Sequence, residues 1–165
     1  MILSAFTIFH VILSRVAIVS GFVVVFELLG SKRLNGWNTL FLTTTAATSI
    51  TGFLFPFHGF TPGIGVGILS LIVLAIAFLA LSRFHLAGGW SRTYAITAVL
   101  ALYFNVFVLV VQLFEKVPAL RAIAPTQSEP PFQMAQAAVL LIFAVLGIRA
   151  AMKFHGGPPR MARVH

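Results

Sequence analysis

Five long apolar segments make up most of this 165-residue chain, and its polar groups are concentrated in the gaps between them. The mean hydropathy is +1.03 and only 8% of the residues are charged, values far from those of soluble globular domains. A helix that crosses a bilayer needs roughly 20 mostly apolar residues. We therefore predict an all-α integral membrane bundle of five transmembrane helices. The predicted spans are 5–29, 39–57, 64–83, 93–114 and 133–151.

The ends of these segments carry local signals for starting and stopping a helix. Asn38, Thr61 and Ser91 are predicted N-caps, because their side-chain oxygens can accept hydrogen bonds from the first helical turn. Pro62 suits the first turn of the third helix. Pro56 is expected to help end the second helix, since proline cannot continue the backbone hydrogen-bond pattern.

Positive charge is divided unequally between the two ends of the predicted bundle. With five crossings, one side receives eight basic residues and the other receives Lys116 and Arg121, while Arg15 lies within the first span. Cytoplasmic loops are enriched in Lys and Arg, so we predict the N-terminus outside and the C-terminus in the cytoplasm. Residues 1–155 then form one transmembrane domain, and residues 156–165 form a basic cytoplasmic tail. The eight basic residues are Lys32, Arg33, Arg83, Arg92, Arg149, Lys153, Arg160 and Arg163.

The second segment is the least secure crossing by hydropathy, because it is rich in hydroxyl side chains. If it did not cross, the same basic residues would divide six to four, a weaker asymmetry. The charge pattern therefore favours five spans. It does not test the first segment, for which the prediction rests on length and apolarity alone.

Arg15 is an ionisable residue inside a predicted span, which is a functional-site hypothesis because a charge in lipid is costly. It lies about 15 Å from the outer end of its helix, at 1.5 Å per residue. Its guanidinium needs acceptors or water, although an outward-snorkelling side chain would also satisfy it. In the fourth helix, steps of three and four residues place Asn105, Gln112 and Glu115 on one face.

These polar residues predict one cluster in the outer half of the bundle, provided that their helices face one another. The structural interpretation is helix-to-helix hydrogen bonding, worth about 0.6–2 kcal/mol per bond. The functional interpretation is an outward-open, hydrated pocket for a small anion, a proton or a polar ligand, with Arg15 as the fixed charge. The predicted cluster comprises Arg15, His10, Ser14, Thr48, Thr51, Asn105, Gln112 and Glu115.

The remaining chemistry-bearing residues offer little support for an enzyme. There is no cysteine, and the three acids, Glu27, Glu115 and Glu129, are dispersed across both boundaries and a loop. No nucleophile–base pair or metal-ligand spacing appears, so we predict no catalytic residue and no metal site. No cofactor is predicted either, apart from one alternative. His10 and His58 both belong to the outer half and could hold haem b, although His58 is expected to be shallower.

Three strings carry a resemblance to a known family: TSITGFLFPFHGFTP, LYFNVFVLVVQLFEKVPAL and APTQSEPPF. They are similar to those of a family of small multi-helix membrane proteins of bacteria. The resemblance runs from about Asn35 to about Lys153. It implies a multi-pass protein of the bacterial cytoplasmic (inner) membrane, and it implies no activity.

We therefore predict a non-enzymatic integral inner-membrane protein, either an accessory subunit or a handler of a small polar solute or proton. The alternative is a haem- or quinone-linked membrane electron-transfer subunit. The predicted partner is the lipid bilayer, with another membrane protein or a second copy of the chain as further options. Nucleic acid is not a predicted partner, because the basic residues sit singly or in pairs at segment ends rather than on one surface.

Overall fold

The chain is all-helical in a computed structural model that describes residues 2–32, 36–56 and 59–154. Within these ranges there is no strand. Four of the described helices are long and apolar enough to cross a membrane, and together they indicate a multi-pass membrane protein. The predicted tail, 156–165, lies outside the described residues. The six helices are α1 Ile2–Leu29, α2 Gly36–Gly52, α3 Pro62–Ser82, α4 Trp90–Lys116, α5 Pro118–Ile123 and α6 Pro130–Lys153.

The helix α2 is shorter than the predicted span 39–57. It has 17 residues and ends at Gly52, so it is about 25 Å long at 1.5 Å per residue. The chain leaves the helix through turn hydrogen bonds from Phe53 N to Ile50 O and from Leu54 N to Thr51 O, both 3.1 Å. The helix thus ends before Pro56, which does not act as its stop signal.

One of the three predicted N-caps is confirmed and two are wrong. Thr61 caps α3: its side chain accepts from Ile64 N at 3.4 Å, and Pro62 occupies the first turn. Asn38 and Ser91 instead lie inside α2 and α4, which begin at Gly36 and Trp90. Ser91 donates its hydroxyl back to Gly88 O at 3.1 Å, and the residue at the N-cap position of α4 is Gly89.

The helix α4 is the centre of the bundle and contacts α1, α3 and α6. The helices α1, α2, α3 and α4 contact one another in sequence, and α1 also contacts α4, so the four form a closed ring. The buried face of α4 is built largely from alanines, which allow neighbouring backbones to approach closely. Its fully buried residues are Tyr94, Ala95, Ala98, Ala101 and Leu102.

Gly21 lies at a close contact of three helices. A Cβ atom at this position would lie 2.6 Å from Leu102 Cδ1 and 2.8 Å from Phe41 Cε2, so a larger residue would require these side chains to shift. All buried residues of α1 fall between Ala17 and Leu28, and none lies in its first half. The four helices are therefore tightly packed around the second half of α1. Around its first half they leave room between them.

The surfaces of α3 and α6 that face away from the bundle are covered with large apolar side chains. Such a surface is unfavourable in water and suits contact with lipid tails. The exposed residues include Ile68, Leu69, Ile72, Phe78, Leu140, Leu141, Ile142 and Ile148.

Candidate functional site

A cavity of about 520 Å³ opens between four helices at one end of the bundle. Its walls come from the beginning of α1, the end of α2, the beginning of α3 and the end of α4. We call it the outer cavity, after the side that the charge pattern predicts for it. The polar residues that line it are Thr7, His10, Ser14, Thr48, Ser49, Thr61, Ser70, Asn105, Gln112, Glu115 and Lys116.

Six residues of the predicted cluster line the outer cavity together. Thr51 does not line the cavity, but it is hydrogen-bonded to His10, which does. Arg15 is placed elsewhere, because its side chain is exposed and does not reach the cavity. The cation that lines the cavity is Lys116, at the last residue of α4. The six lining residues are His10, Ser14, Thr48, Asn105, Gln112 and Glu115.

His10 is held in a defined orientation by α2. Its Nδ1 lies 2.8 Å from Thr51 Oγ1, and its ring packs edge-on against Phe55 with centroids 5.1 Å apart. When the Thr51 hydroxyl donates to Ala47 O, 2.7 Å away, it accepts from His10 Nδ1. In that arrangement a neutral ring carries its proton on Nδ1 and a lone pair on Nε2.

A buried hydrogen bond crosses from α4 to α2 in the cavity wall. Asn105 Nδ2 donates to Thr45 Oγ1 at 3.1 Å, and both residues are buried. Asn105 is one helical turn from Leu102, which packs against Gly21 and Phe41. The polar lining thus gives way to an apolar contact that closes the cavity toward the opposite end of the bundle.

Three threonine hydroxyls of α2 form hydrogen bonds within the helix itself. Thr44, Thr48 and Thr51 donate to the carbonyl oxygens four residues earlier at 2.6 to 2.7 Å. Such back-bonding removes the cost of placing a hydroxyl in an apolar environment. Ser49 bonds instead to Ser70 of α3 at 3.3 Å and joins the two helices beside the cavity.

Several lining residues were not part of the predicted cluster. Thr7 lies three residues before His10 and therefore shares its helical face, a spacing that could have identified it. Lys116 lies beyond the predicted span 93–114, but it follows Gln112 by four residues, a spacing that could have identified it. Ser70 had no recognisable signal, since it is a single small polar residue in an apolar helix.

The loop before α6 is organised around the Glu129 carboxylate. This group accepts from Thr126 Oγ1 at 2.7 Å and from the amides of Thr126 and Ser128, both at 3.1 Å. The hydrogen bond from the Thr126 side chain is the main reason that the pKa of Glu129 lies below its ordinary value. Gln127 Nε2 donates to Val111 O at 3.0 Å and so fastens the loop onto α4.

A second hollow, of about 640 Å³, lies beside α5 and adjoins the outer cavity. The two spaces share Glu115 and Lys116 as wall residues. We call the second space the basic hollow, because Lys116 and Arg121 both line it. Its other walls are Phe114, Pro125, Thr126 and Gln127.

The predicted haem pair is described only in part. His10 lines the outer cavity, whereas His58 lies outside the described residues. Haem ligation by these two residues stays a prediction.

The fold and the site together define a helical, multi-pass membrane protein with a polar cavity at one end of its bundle. No family model, curated protein or solved structure matches the chain. The functional argument therefore depends on the residues and their geometry.

Proposed function

We propose that the protein is a non-enzymatic, five-span membrane protein that binds a small polar solute in its outer cavity. One observation carries the proposal: side chains from four helices converge on one cavity of about 520 Å³. Ser14 and Gln112 line this cavity, yet neither forms a hydrogen bond with any residue in the described ranges. A cluster that served only to join helices would pair these groups with each other. Their free hydroxyl and amide favour a ligand.

The proposed orientation puts the N-terminus and the cavity outside and the C-terminus in the cytoplasm of a bacterium. Its support is the division of basic residues, eight against two, with the larger group on the cytoplasmic side. The fifth crossing is supported by the course of α2 beside α1. Phe41 packs near Gly21, and Thr51 bonds to His10, so the two helices run antiparallel over a similar depth.

The proposal is tested by filling the cavity. Val108 of α4 lines the cavity, whereas Leu100 of the same helix is exposed on the bundle surface. We expect small molecules that are retained by the wild type, identified by native mass spectrometry in phosphatidylcholine nanodiscs, to be lost from Val108→Trp. Leu100→Trp and Arg15→Gln should retain them, because neither residue lines the cavity. Equal retention by Val108→Trp and the wild type would contradict the proposal.

A haem- or quinone-linked electron-transfer subunit is the second candidate, favoured by the orientation of His10. Ligating histidines usually donate their other ring N–H to a neighbouring acceptor, and Thr51 Oγ1, 2.8 Å from His10 Nδ1, is placed to be that acceptor. The lone pair on Nε2 is then available to a ligand. Absorption spectra of protein purified from its native membrane discriminate the two candidates: a Soret band supports haem, and its absence excludes it.

The molecules that copurify with the chain distinguish an accessory subunit from a solute-binding protein. Isolation from native membranes with a stoichiometric second protein would favour that role. Isolation alone with a bound solute favours the outer cavity as the functional site.

A further inference from the structure

We propose that the basic hollow is an anion subsite that continues the outer cavity, so that the small polar solute is an anion that also has an apolar part. Its charged head lies between Lys116 and Arg121, and the rest of the molecule extends into the outer cavity, which polar and apolar side chains line together. This inference rests on the proposed function and specifies the chemical class of the ligand.

The positive charge of the basic hollow is available to a ligand. Lys116 and Arg121 both line the hollow, and neither side chain forms an ion pair or hydrogen bond with a residue in the described part of the chain. They are also the two basic residues that the charge pattern assigns to the outer loops. Outer loops usually carry few basic residues, so the convergence of both on one hollow calls for an anionic partner.

Among the described residues, two cations and one acid line the basic hollow. Glu129 is occupied within its own loop, where both carboxylate oxygens accept hydrogen bonds from Thr126 or Ser128. Glu115 is the one described acid that lines the hollow, against two cations. The guanidinium of Arg121 can donate two parallel hydrogen bonds to a carboxylate or phosphate, and the ammonium of Lys116 is a second positive charge that lines the hollow.

The two adjoining spaces differ in polarity. The outer cavity has two kinds of lining. Beside its polar groups it has aromatic and aliphatic side chains, among them Phe53, Phe104 and Val108. The basic hollow is lined mainly by charged, amide and hydroxyl groups. Because Lys116 lies on the shared wall, a single molecule can keep its head against this ammonium while its body enters the cavity. Apolar walls with a few placed polar groups are typical of small-molecule sites.

The rim of the basic hollow is fixed before any ligand binds. Gln127 is fastened to Val111 O of α4 at 3.0 Å, and the Glu129 hydrogen bonds hold Thr126 in place. A preformed rim lowers the ordering cost of binding.

The experiment measures binding of hexyl phosphate to the full chain in phosphatidylcholine nanodiscs by isothermal titration calorimetry. We expect the K116Q/R121Q variant to bind about tenfold more weakly or worse, which corresponds to the loss of two charge-assisted contacts. The matched control is R149Q/K153Q, which removes two exposed cations of α6 that line neither space. Its affinity should stay within about twofold of the wild type. All of these residues are exposed, and thermal unfolding checks that each variant is folded.

Two further probes separate the head from the body of the ligand. Val108→Trp should lose hexyl phosphate but keep the weak binding of inorganic phosphate, and hexanol should not compete. Nanodiscs that contain phosphatidylglycerol identify the source of the anion. Weakened hexyl phosphate binding there indicates a lipid headgroup as the natural occupant, and unchanged binding indicates a free solute.

The inference is overturned if the wild type does not bind hexyl phosphate, or if K116Q/R121Q binds it as tightly as the wild type. A hexyl phosphate affinity that is unaffected by Val108→Trp also overturns it. These results differ from failure of the proposed function. A copurified solute that is lost from Val108→Trp but retained by K116Q/R121Q leaves the outer cavity as a binding site and removes only the anion subsite.

Discussion

His10 and Thr51 join α1 to α2 through a hydrogen bond of 2.8 Å between Nδ1 of the imidazole and Oγ1 of the threonine. This bond fixes the imidazole at the edge of the outer cavity. Its removal should therefore affect the cavity more than the fold.

Thr51→Val keeps the shape of the side chain and removes the acceptor. We expect the free energy of unfolding to fall by about 0.6–2 kcal/mol, the usual range for a hydrogen bond between membrane helices. The affinity for the cavity ligand should also fall, because the ring of His10 is no longer oriented. Equilibrium unfolding in bicelles and ligand titration measure the two effects. Thr43→Val is the control, since Thr43 is exposed on the same helix and does not line the cavity; an equal effect at both positions would exclude a specific role for the hydrogen bond.

Gly21→Ala tests the tight three-helix contact that closes the cavity. The added methyl group would overlap Leu102 and Phe41, at 2.6 and 2.8 Å. Overpacking of this kind destabilises by about 1–3 kcal/mol, measurable by unfolding in bicelles. Gly147→Ala is the matched control within α6, because a Cβ there meets only Val99 at an ordinary 3.5 Å. Equal stability of the two variants would mean that the helices can separate at Gly21 without penalty.

Tyr94→Phe removes a buried hydroxyl that has no hydrogen-bond partner among the described residues. A buried polar group without a partner costs about 1–3 kcal/mol. We therefore expect the variant to be at least as stable as the wild type, and more stable by up to that amount. Tyr103→Phe, the same chemical change at a half-buried ring, should alter stability by less than about 0.5 kcal/mol. Lower stability of Tyr94→Phe would reveal a bound water or another partner for the hydroxyl.

The Glu129 loop should loosen in acid. Because the pKa of Glu129 is lowered from its ordinary value of 4.5, chiefly by the Thr126 hydroxyl, its ionised form stabilises the loop. That contribution is complete above the ordinary value and is lost as the pH falls through the lowered one. Hydrogen exchange of the Thr126 and Ser128 amides, corrected for the intrinsic rate, should accelerate in this window. In Glu129→Gln the protection should be weak at all pH values; a persistent pH dependence in that variant would assign the effect to another group.

The sequence predicts well those features that depend on local composition. Long apolar runs require helices of membrane-crossing length, and all four candidate spans overlap predicted ones. The three- and four-residue spacing on α4 placed Asn105, Gln112 and Glu115 on one face, and all three line the outer cavity. A helical face follows from spacing alone, since each residue turns the helix by about 100°.

The features that depend on how helices are rotated and where they end were harder to predict. Arg15 directly follows Ser14, so it points about 100° away from the face that Ser14 shares with His10. Its side chain is exposed, and the outward-snorkelling interpretation of its charge stays a prediction. The six-residue helix α5 and the two extra residues of α4 determine where Lys116 and Arg121 lie. Such short extensions leave almost no periodic signal in a sequence.

The placement of the cavity on the outer side is tested most directly by site-directed labelling, which the absence of native cysteine makes straightforward. Single cysteines replace Ser14 in the cavity and Lys153 at the end of α6. A membrane-impermeant maleimide applied to spheroplasts should label Ser14→Cys, whereas Lys153→Cys should react only in inverted vesicles. Labelling of both positions from the same side, or of Ser14→Cys from the cytoplasmic side alone, would contradict an outward-facing site.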